Sequence, residues 1–312
     1  MKNGHPGHSL SQLALRAYEA LVPKRIRVGL HNRRFVRRNA QWDRIRGTAG
    51  SVVRSLGGGV RLRLYGDSRL CELLYFDQFE HDTRRFIDAF LRPGDVFLDI
   101  GANVGLYTIA AARIVGSGGH AHAFEPCSQT FGRLEENVKL NGLRNVSCHR
   151  VALSHENAEA TLSIAGGGFD AWNSLGKPYM GEASGQETVR TVTLDSFAIE
   201  RGLSGKITLI KIDVEGWEQQ VLNGAGDLLS AHDAPAMIVE FTEQAAQLAD
   251  SSCAALYTTL DRLGYRMFTE GSTPETVIPF ALCDPFPNVN LLALKDPAAA
   301  RARLGAAQSS RR

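Results

Sequence analysis

The chain has 312 residues, 44% hydrophobic and 22% charged, enough apolar side chains for one large domain or two modest ones. Disordered, collagenous and coiled-coil classes are thereby excluded. The formal charge of +2 is uneven: residues 1–50 carry 11 Lys and Arg against 2 acids, leaving 24 of 35 basic residues and 31 of 33 acids to the remainder, a basic arm of +9 on a body of −7 that excludes a uniformly basic nucleic-acid binder.

The arm, residues 1–50, sets Leu10, Leu13, Ala14, Ala17, Leu21 and Val22 at helical spacing ahead of Arg33-Arg34 and Arg37-Arg38. Such a stripe beside basic residues suits peripheral contact with an anionic membrane; a solvated arm, or one docked on the acidic body or a second subunit, is the plain alternative. No aromatic stacking motif accompanies it, so no nucleic-acid partner is expected. Arg16 and Glu19 interrupt the one stretch that could form a signal-peptide core, and no apolar run approaches the roughly 20 residues of a bilayer span. A cytoplasmic protein, at most peripheral to the inner membrane face, is expected. Five cysteines without a C-x-x-C pair or zinc-ligand spacing predict free thiols, and no metal site is assigned.

Residues 51–91 read as a β-hairpin and a lead-in helix. Val60, Leu62, Leu64 and the run Leu70 to Phe76 predict short strands, and Phe86, Ile87, Phe90 and Leu91 predict a helix over Asp82 to Leu91 that stops at Pro93-Gly94. Residues 92–296 then alternate short apolar runs with helical patterns. Strands are predicted at Val96 to Ile100, Ala121 to Phe124, Val146 to Val151, Ile207 to Ile212, Ala236 to Phe241, Tyr265 to Phe268 and Val289 to Leu294. Helices are predicted at Val104 to Val115, Thr130 to Leu140, Glu218 toward Leu229 and Ser252 to Leu263. Short apolar strands between helices predict an α/β fold, a doubly wound, mostly parallel sheet of about seven strands. Residues 297–312, small and polar, are expected to form a flexible tail.

Such sheets bind ligands beyond the C-terminal strand ends. The first strand ends in Asp99-Ile100-Gly101-Ala102-Asn103-Val104-Gly105 and enters a helix, a turn whose glycines allow its amides to approach a ligand. A dinucleotide fingerprint would need glycine where Asn103 and Leu106 stand, which disfavours NAD. Glu125, 24 residues after Gly101, ends the second strand, where a carboxylate accepts from a ribose diol or else caps the next helix. Together these features point to a nucleoside ligand without a pyrophosphate clamp.

Asp213 and Glu215, two apart at the end of the fourth parallel strand, face the same way. They could hold a cofactor ammonium, orient an acceptor, act as base, or bind a divalent cation with Glu240; Glu215 could equally be a first-turn acid of the helix at Trp217. His149 and His155 are further candidate bases, and Glu80 and His81 could close the pocket from the N-terminal side. The loop from Gly166 to Thr188 mixes Trp172, Asn173, Ser174, Lys177, Tyr179 and Met180, as an acceptor pocket or an ordinary flexible insertion would.

Four segments, Pro93 to Gly105, Phe124-Glu125-Pro126, Val151-Ala152-Leu153-Ser154 and Lys211-Ile212-Asp213-Val214-Glu215-Gly216-Trp217-Glu218, resemble in order and spacing the FkbM family of S-adenosylmethionine-dependent methyltransferases. The resemblance covers about Asp82 to Lys295, and Asn173-Ser174 extends it. It implies a class I methyltransferase (Rossmann-like) fold with an N-terminal extension and S-adenosyl-L-methionine as cofactor. By that resemblance Asp99, Gly101, Asn103 and Gly105 surround the methionine moiety, Glu125 binds the ribose, and Ala152, Leu153 and Ser154 flank the adenine. Ser154 stands nearest to where many class I enzymes carry an acid. Asp213 and Glu215 become the catalytic candidates. The implied reaction is O-methylation of a hydroxyl on a small molecule, sugar or glycolipid. N-methylation, metal-assisted O-methylation through Asp213 and Glu240, and a non-catalytic cofactor-binding scaffold are the alternatives.

Overall fold

The computed structural model describes residues 39–180, 182–271, 273 and 276–309. The chain divides into two compact units, Met1–Ser51 and Val52–Arg312. Of the first, the described part is helical and ends in a π-helical turn, Ile45–Ala49, closed by Gly50. The helix predicted from Leu10 to Val22 and the paired arginines lie outside the described residues. No helix among the described residues is long and apolar enough to cross a membrane.

Strand β1 (Ser51–Ser55), in the second unit from Val52 onward, pairs with β2 (Arg61–Tyr65). The run predicted as a further strand, Leu70 to Phe76, is instead helix α1 (Arg69–Tyr75). Its N-cap Ser68 accepts from the Cys71 N–H, and Leu70, Cys71 and Leu74 share its buried face, a local capping signal that outweighs the strand-like apolar run. Helix α2 (His81–Phe90) buries Phe86, Ile87 and Phe90 and ends short of Pro93, which lacks the N–H to continue it.

The central sheet follows: β3 (Val96–Ile100), α3 (Leu106–Val115), β4 (His120–Phe124), α4 (Ser128–Leu140) and β5 (Val146–His149). The chain then forms β6 (Ala152–Leu153), β7 (Ala158–Ala165) and β8 (Ala183–Val192), followed by α5 (Leu194–Glu200). It returns to the central sheet through β9 (Ile207–Ile212), α6 (Glu218–Asn223), α7 (Gly226–Ser230), β10 (Ala236–Phe241), α8 (Glu243–Leu248) and α9 (Cys253–Arg262). The last elements are β11 (Arg266–Glu270), β12 (Val277–Pro279), β13 (Val289–Leu294) and α10 (Pro297–Ser309).

The sheet has eight strands in the order β12-β11-β13-β10-β9-β3-β4-β5. From β10 to β5 it is parallel, and β13, β11 and β12 complete it antiparallel. The eighth strand, one more than predicted, is the short edge β12, too brief to show a pattern in sequence. From β3 the chain builds outward to β4 and β5; after β8 it restarts on the other side with β9. That reversal opens a crevice at the C-terminal ends of β3 and β9. Leu98, Ile100, Ile210, Ile212, Val239 and Phe241 are buried in the core between the helical layers.

Two segments depart from their predicted character. Residues between the predicted strands Val146 to Val151 and Ile207 to Ile212, including the end of the loop Gly166 to Thr188, supply a separate sheet, β6-β8-β7, whose polar outer positions hid its period. The expected flexible tail is helix α10 up to Ser309, with Ala300 and Leu304 buried. Arg303 fastens it, pairing with Asp95 and donating to the Phe90 carbonyl at 2.7 Å. Alanine-rich sequence is a good helix former, and burying Leu304 supplies the docking.

Candidate functional site

A cavity of about 270 Å³ opens at the C-terminal ends of β3, β4, β9 and β10. The turn after β3 forms its floor. At Gly101, with φ 84°, a Cβ would lie 1.8 Å from the Asp213 carbonyl oxygen, so only glycine lets the β3 and β9 ends approach this closely. Gly105 serves packing: a Cβ there would lie 2.7 Å from Leu134 Cδ1, and the residue does not line the cavity. The turn's amides are already paired. Gly101 and Ala102 N–H donate to the Phe124 carbonyl, Asn103 N–H to Glu125 Oε2 at 3.0 Å, Val104 N–H to Asn103 Oδ1, and Gly105 N–H to the Ala102 carbonyl. The turn shapes the cavity, which Gly101, Ala102, Asn103 and Val104 line.

Glu125 is buried on the cavity wall. Its Oε1 accepts from Cys127 N–H at 3.0 Å and Thr130 Oγ1 at 2.7 Å, while Oε2 holds the single Asn103 bond, leaving acceptor capacity. Burial pushes its carboxyl up to about 7 against these donors. Asp99 is fully buried beneath the wall and does not reach the cavity. Thr108 Oγ1 donates to its Oδ2 at 2.5 Å, tying β3 to α3. Ala152 and Leu153 line the cavity, as does Trp217, which donates through Nε1 to Ser154 Oγ at 3.0 Å. Ser154 thus holds Trp217 in place and is not itself on the wall.

Asp213, Glu215 and Glu240 converge on the opposite wall, each offering an oxygen within 4.8 Å of the others'. The parallel pairing of Val239 with Ile212 puts Glu240 beside Asp213. Glu215, at φ 56°, precedes α6 and lines the cavity, while Glu218 Oε1, at the start of α6, accepts from Val214 N–H at 2.9 Å and Gly216 N–H at 3.3 Å and braces the turn after β9. Burial, then the neighbouring Asp213, holds the Glu215 and Glu240 carboxyls well above the ordinary range.

Lys211 was not singled out in sequence. It is 2% exposed on β9, and its Nζ donates to Asp213 Oδ2 at 2.5 Å. Burial works against its charge, yet Asp213, Glu80 and Asp99 together hold its pKa above the ordinary lysine value. Its Nζ lies 4.9 Å from the centre of the Tyr107 ring, and Tyr107 Oη donates to Glu80 Oε2 at 2.6 Å. The signal available in sequence was a lysine inside a mostly apolar strand.

Glu80 thus lines the cavity from the N-terminal side, whereas His81 is exposed and outside it. His149 and His155 are also outside. His149 stacks on Phe124 at 4.9 Å and faces His122 Nδ1 at 3.2 Å, and His155 is a surface residue beside Ser154. Over the opening, Trp172, Asn173 and Tyr179 line the cavity, with Trp172 Nε1 donating to Tyr179 Oη at 2.9 Å. Ser174 Oγ donates to the Glu215 carbonyl at 2.8 Å, and Arg133 pairs with both Asp67 and Asp170 to fasten this segment. Lys177 and Met180 stay off the wall.

Residues 99–267, more than half of the chain, from the end of β3 through β10, match the Methyltransferase FkbM domain. The chain belongs to the FkbM methyltransferase family. This FkbM domain has the α/β, class I, Rossmann-like fold, and S-adenosylmethionine is its cofactor. The chain is similar to 31-O-demethyl-FK506 methyltransferase FkbM of Streptomyces tacrolimicus, 28% identical over 162 residues, which cover 44% of this chain and 62% of that one. It is similar to hexuronic acid methyltransferase AglP of Haloferax volcanii, 29% identical over 155 residues, 49% and 59% of the two chains. The chain spans about three fifths of the length of these curated relatives. Among solved structures it is similar to an S-adenosylmethionine-dependent O-methyltransferase of Thermotoga maritima, 14% identical, covering 72% and 69%, with a TM-score of 0.38.

Proposed function

We propose that this FkbM protein methylates a hydroxyl oxygen of a small molecule, a sugar or a glycolipid. The observation that carries the reading is one cavity walled by Glu125 on one side and by the Lys211–Asp213 pair with Glu215 and Glu240 on the other. The residues suit the cofactor: Glu125 Oε2 keeps acceptor capacity for a ribose diol, Leu153 and Trp217 offer apolar surface for the adenine, and Asp213 is an acceptor for an ammonium. When bound, S-adenosylmethionine supplies an electrophilic methyl on a sulfonium. The protein's part is alignment, water exclusion and acceptance of the hydroxyl proton. Asp213 and Glu215, both on the cavity wall, are the catalytic carboxylates in this reading. Lys211 holds Asp213 in one orientation. Two relatives carry names that state a demethylated oxygen or a hexuronic acid as what they act on, which supports oxygen and sugar acceptors here.

Calorimetry with S-adenosylhomocysteine tests the cofactor pocket. Wild type is expected to bind, and Glu125→Ala to weaken binding about tenfold or more, from loss of a charge-assisted contact. A wild type that does not bind ends the reading. We further propose that the basic arm contacts anionic membranes, on its charge of +9 and apolar stripe. Flotation with anionic liposomes is expected for the full chain and not for a chain lacking residues 1–50; identical behaviour rejects the contact.

A further inference from the structure

We propose that Asp213, Glu215 and Glu240 form a divalent-cation site at the acceptor end of the cavity. Three carboxylates from adjacent parallel strand ends place one oxygen each within 4.8 Å of one another. Oxygens that far apart can share a cation at about 2.4 Å, and an all-oxygen set suits Mg²⁺, Mn²⁺ or Ca²⁺ rather than zinc.

A second observation points to a ligand independently of the clustering. Glu215 Oε2 and Glu240 Oε2 are both buried, and neither has a hydrogen-bond partner among the described residues. Neighbouring oxygens are committed: Glu240 Oε1 accepts from Thr242 Oγ1 at 2.9 Å, and Asp213 Oδ2 accepts from Lys211. A buried carboxylate oxygen left bare is costly, so two at one point need a shared positive partner. Among the described residues Lys211 is the one Lys or Arg lining the cavity, and it is already bound to Asp213. Glu80, Asp213, Glu215 and Glu240 line the cavity with one ammonium among them, an excess of carboxylates that a divalent ion reduces.

A cation here would lower the pKa of a hydroxyl bound to it, a role that rests on the oxygen-methylation reading. The site itself is tested without that reading. The full chain, stripped with EDTA, is titrated with Mn²⁺ alone and free Mn²⁺ is read by electron paramagnetic resonance. About one Mn²⁺ per chain is expected, displaced by Mg²⁺ or Ca²⁺. Glu215→Gln and Glu240→Gln, each isosteric, are expected to weaken Mn²⁺ binding about tenfold or more, while exposed Glu159→Gln does not. A Mn²⁺-dependent rise in Tm, present in wild type and absent in both variants, reads the same site through stability. Failure of wild type to bind Mn²⁺, or undiminished binding by both variants, overturns the site. S-adenosylhomocysteine binding measured on the same samples separates the two proposals: retained cofactor binding without Mn²⁺ binding overturns the cation site alone.

Discussion

Lys211 sets the electrostatics of the cavity from inside the mostly apolar strand β9. A buried ammonium survives there because Asp213 lies 2.5 Å away and Glu80 and Asp99 add to its field. Lys211→Met is therefore expected to destabilise the protein by about 3–5 kcal/mol, since it leaves Asp213 uncompensated. Urea denaturation measures this, and a shift below about 1 kcal/mol would show that the pair contributes little. Gly101 carries a different constraint. Gly101→Ala drives a Cβ into the Asp213 carbonyl and is expected to displace the β9 end, weakening S-adenosylhomocysteine binding as well as stability. Unchanged affinity would separate the turn from the cofactor pocket.

At the scale of elements, two helices owe their presence to particular anchors. Helix α1 begins at Ser68, whose hydroxyl accepts the Cys71 amide, so Ser68→Ala is expected to cost about 1 kcal/mol. Helix α10 is held by Leu304, fully buried, and by Arg303. Leu304→Ala should cost about 2–4 kcal/mol by leaving a cavity. A denaturation midpoint that does not move would show that α10 lies on the body without stabilising it. The turn before α6 carries the lesson for the site: Glu218 accepts the Val214 and Gly216 amides, while Glu215 lines the cavity.

At the scale of the molecule, pH sets opposing trends. Burial pushes the carboxyls of Glu125 and Glu270 up to about 7, so each favours the folded state at low pH and loses that contribution as pH rises toward 7. His122 and His149 are held down to about 3 and about 4, chiefly by burial. Their folded forms resist protonation, so their contribution is full above about 6.5 and is lost as pH falls toward 4. Comparison with His149→Phe, which keeps the stack on Phe124, isolates this trend. Between pH 7 and pH 5 wild type is expected to lose about 2–4 °C more in Tm than the variant, roughly 1 kcal/mol once solvent screening of a half-buried ring is included. Equal losses would refute the assignment.

The parallel strands from β3 to β10, the glycine turn at Gly101, the acid at Glu125 and the Asp213–Glu215 pair were legible in the sequence. All rest on short-range regularities: unbroken apolar runs, positive-φ glycines, and acids at strand ends. The motif resemblance named the family from the same residues. What lay outside such patterns depended on partners distant in the chain. Asp99 reads like a cavity acid, but α3 covers it; Ser154 reads like a ligand contact, but Trp217 takes its hydroxyl. Glu240 meets Asp213 through the β9–β10 register, and Lys211 remains charged because acids from separate segments surround it. Local propensity and period specify elements, whereas burial, pairing and the charge a side chain can keep are set by residues that only the folded chain brings together.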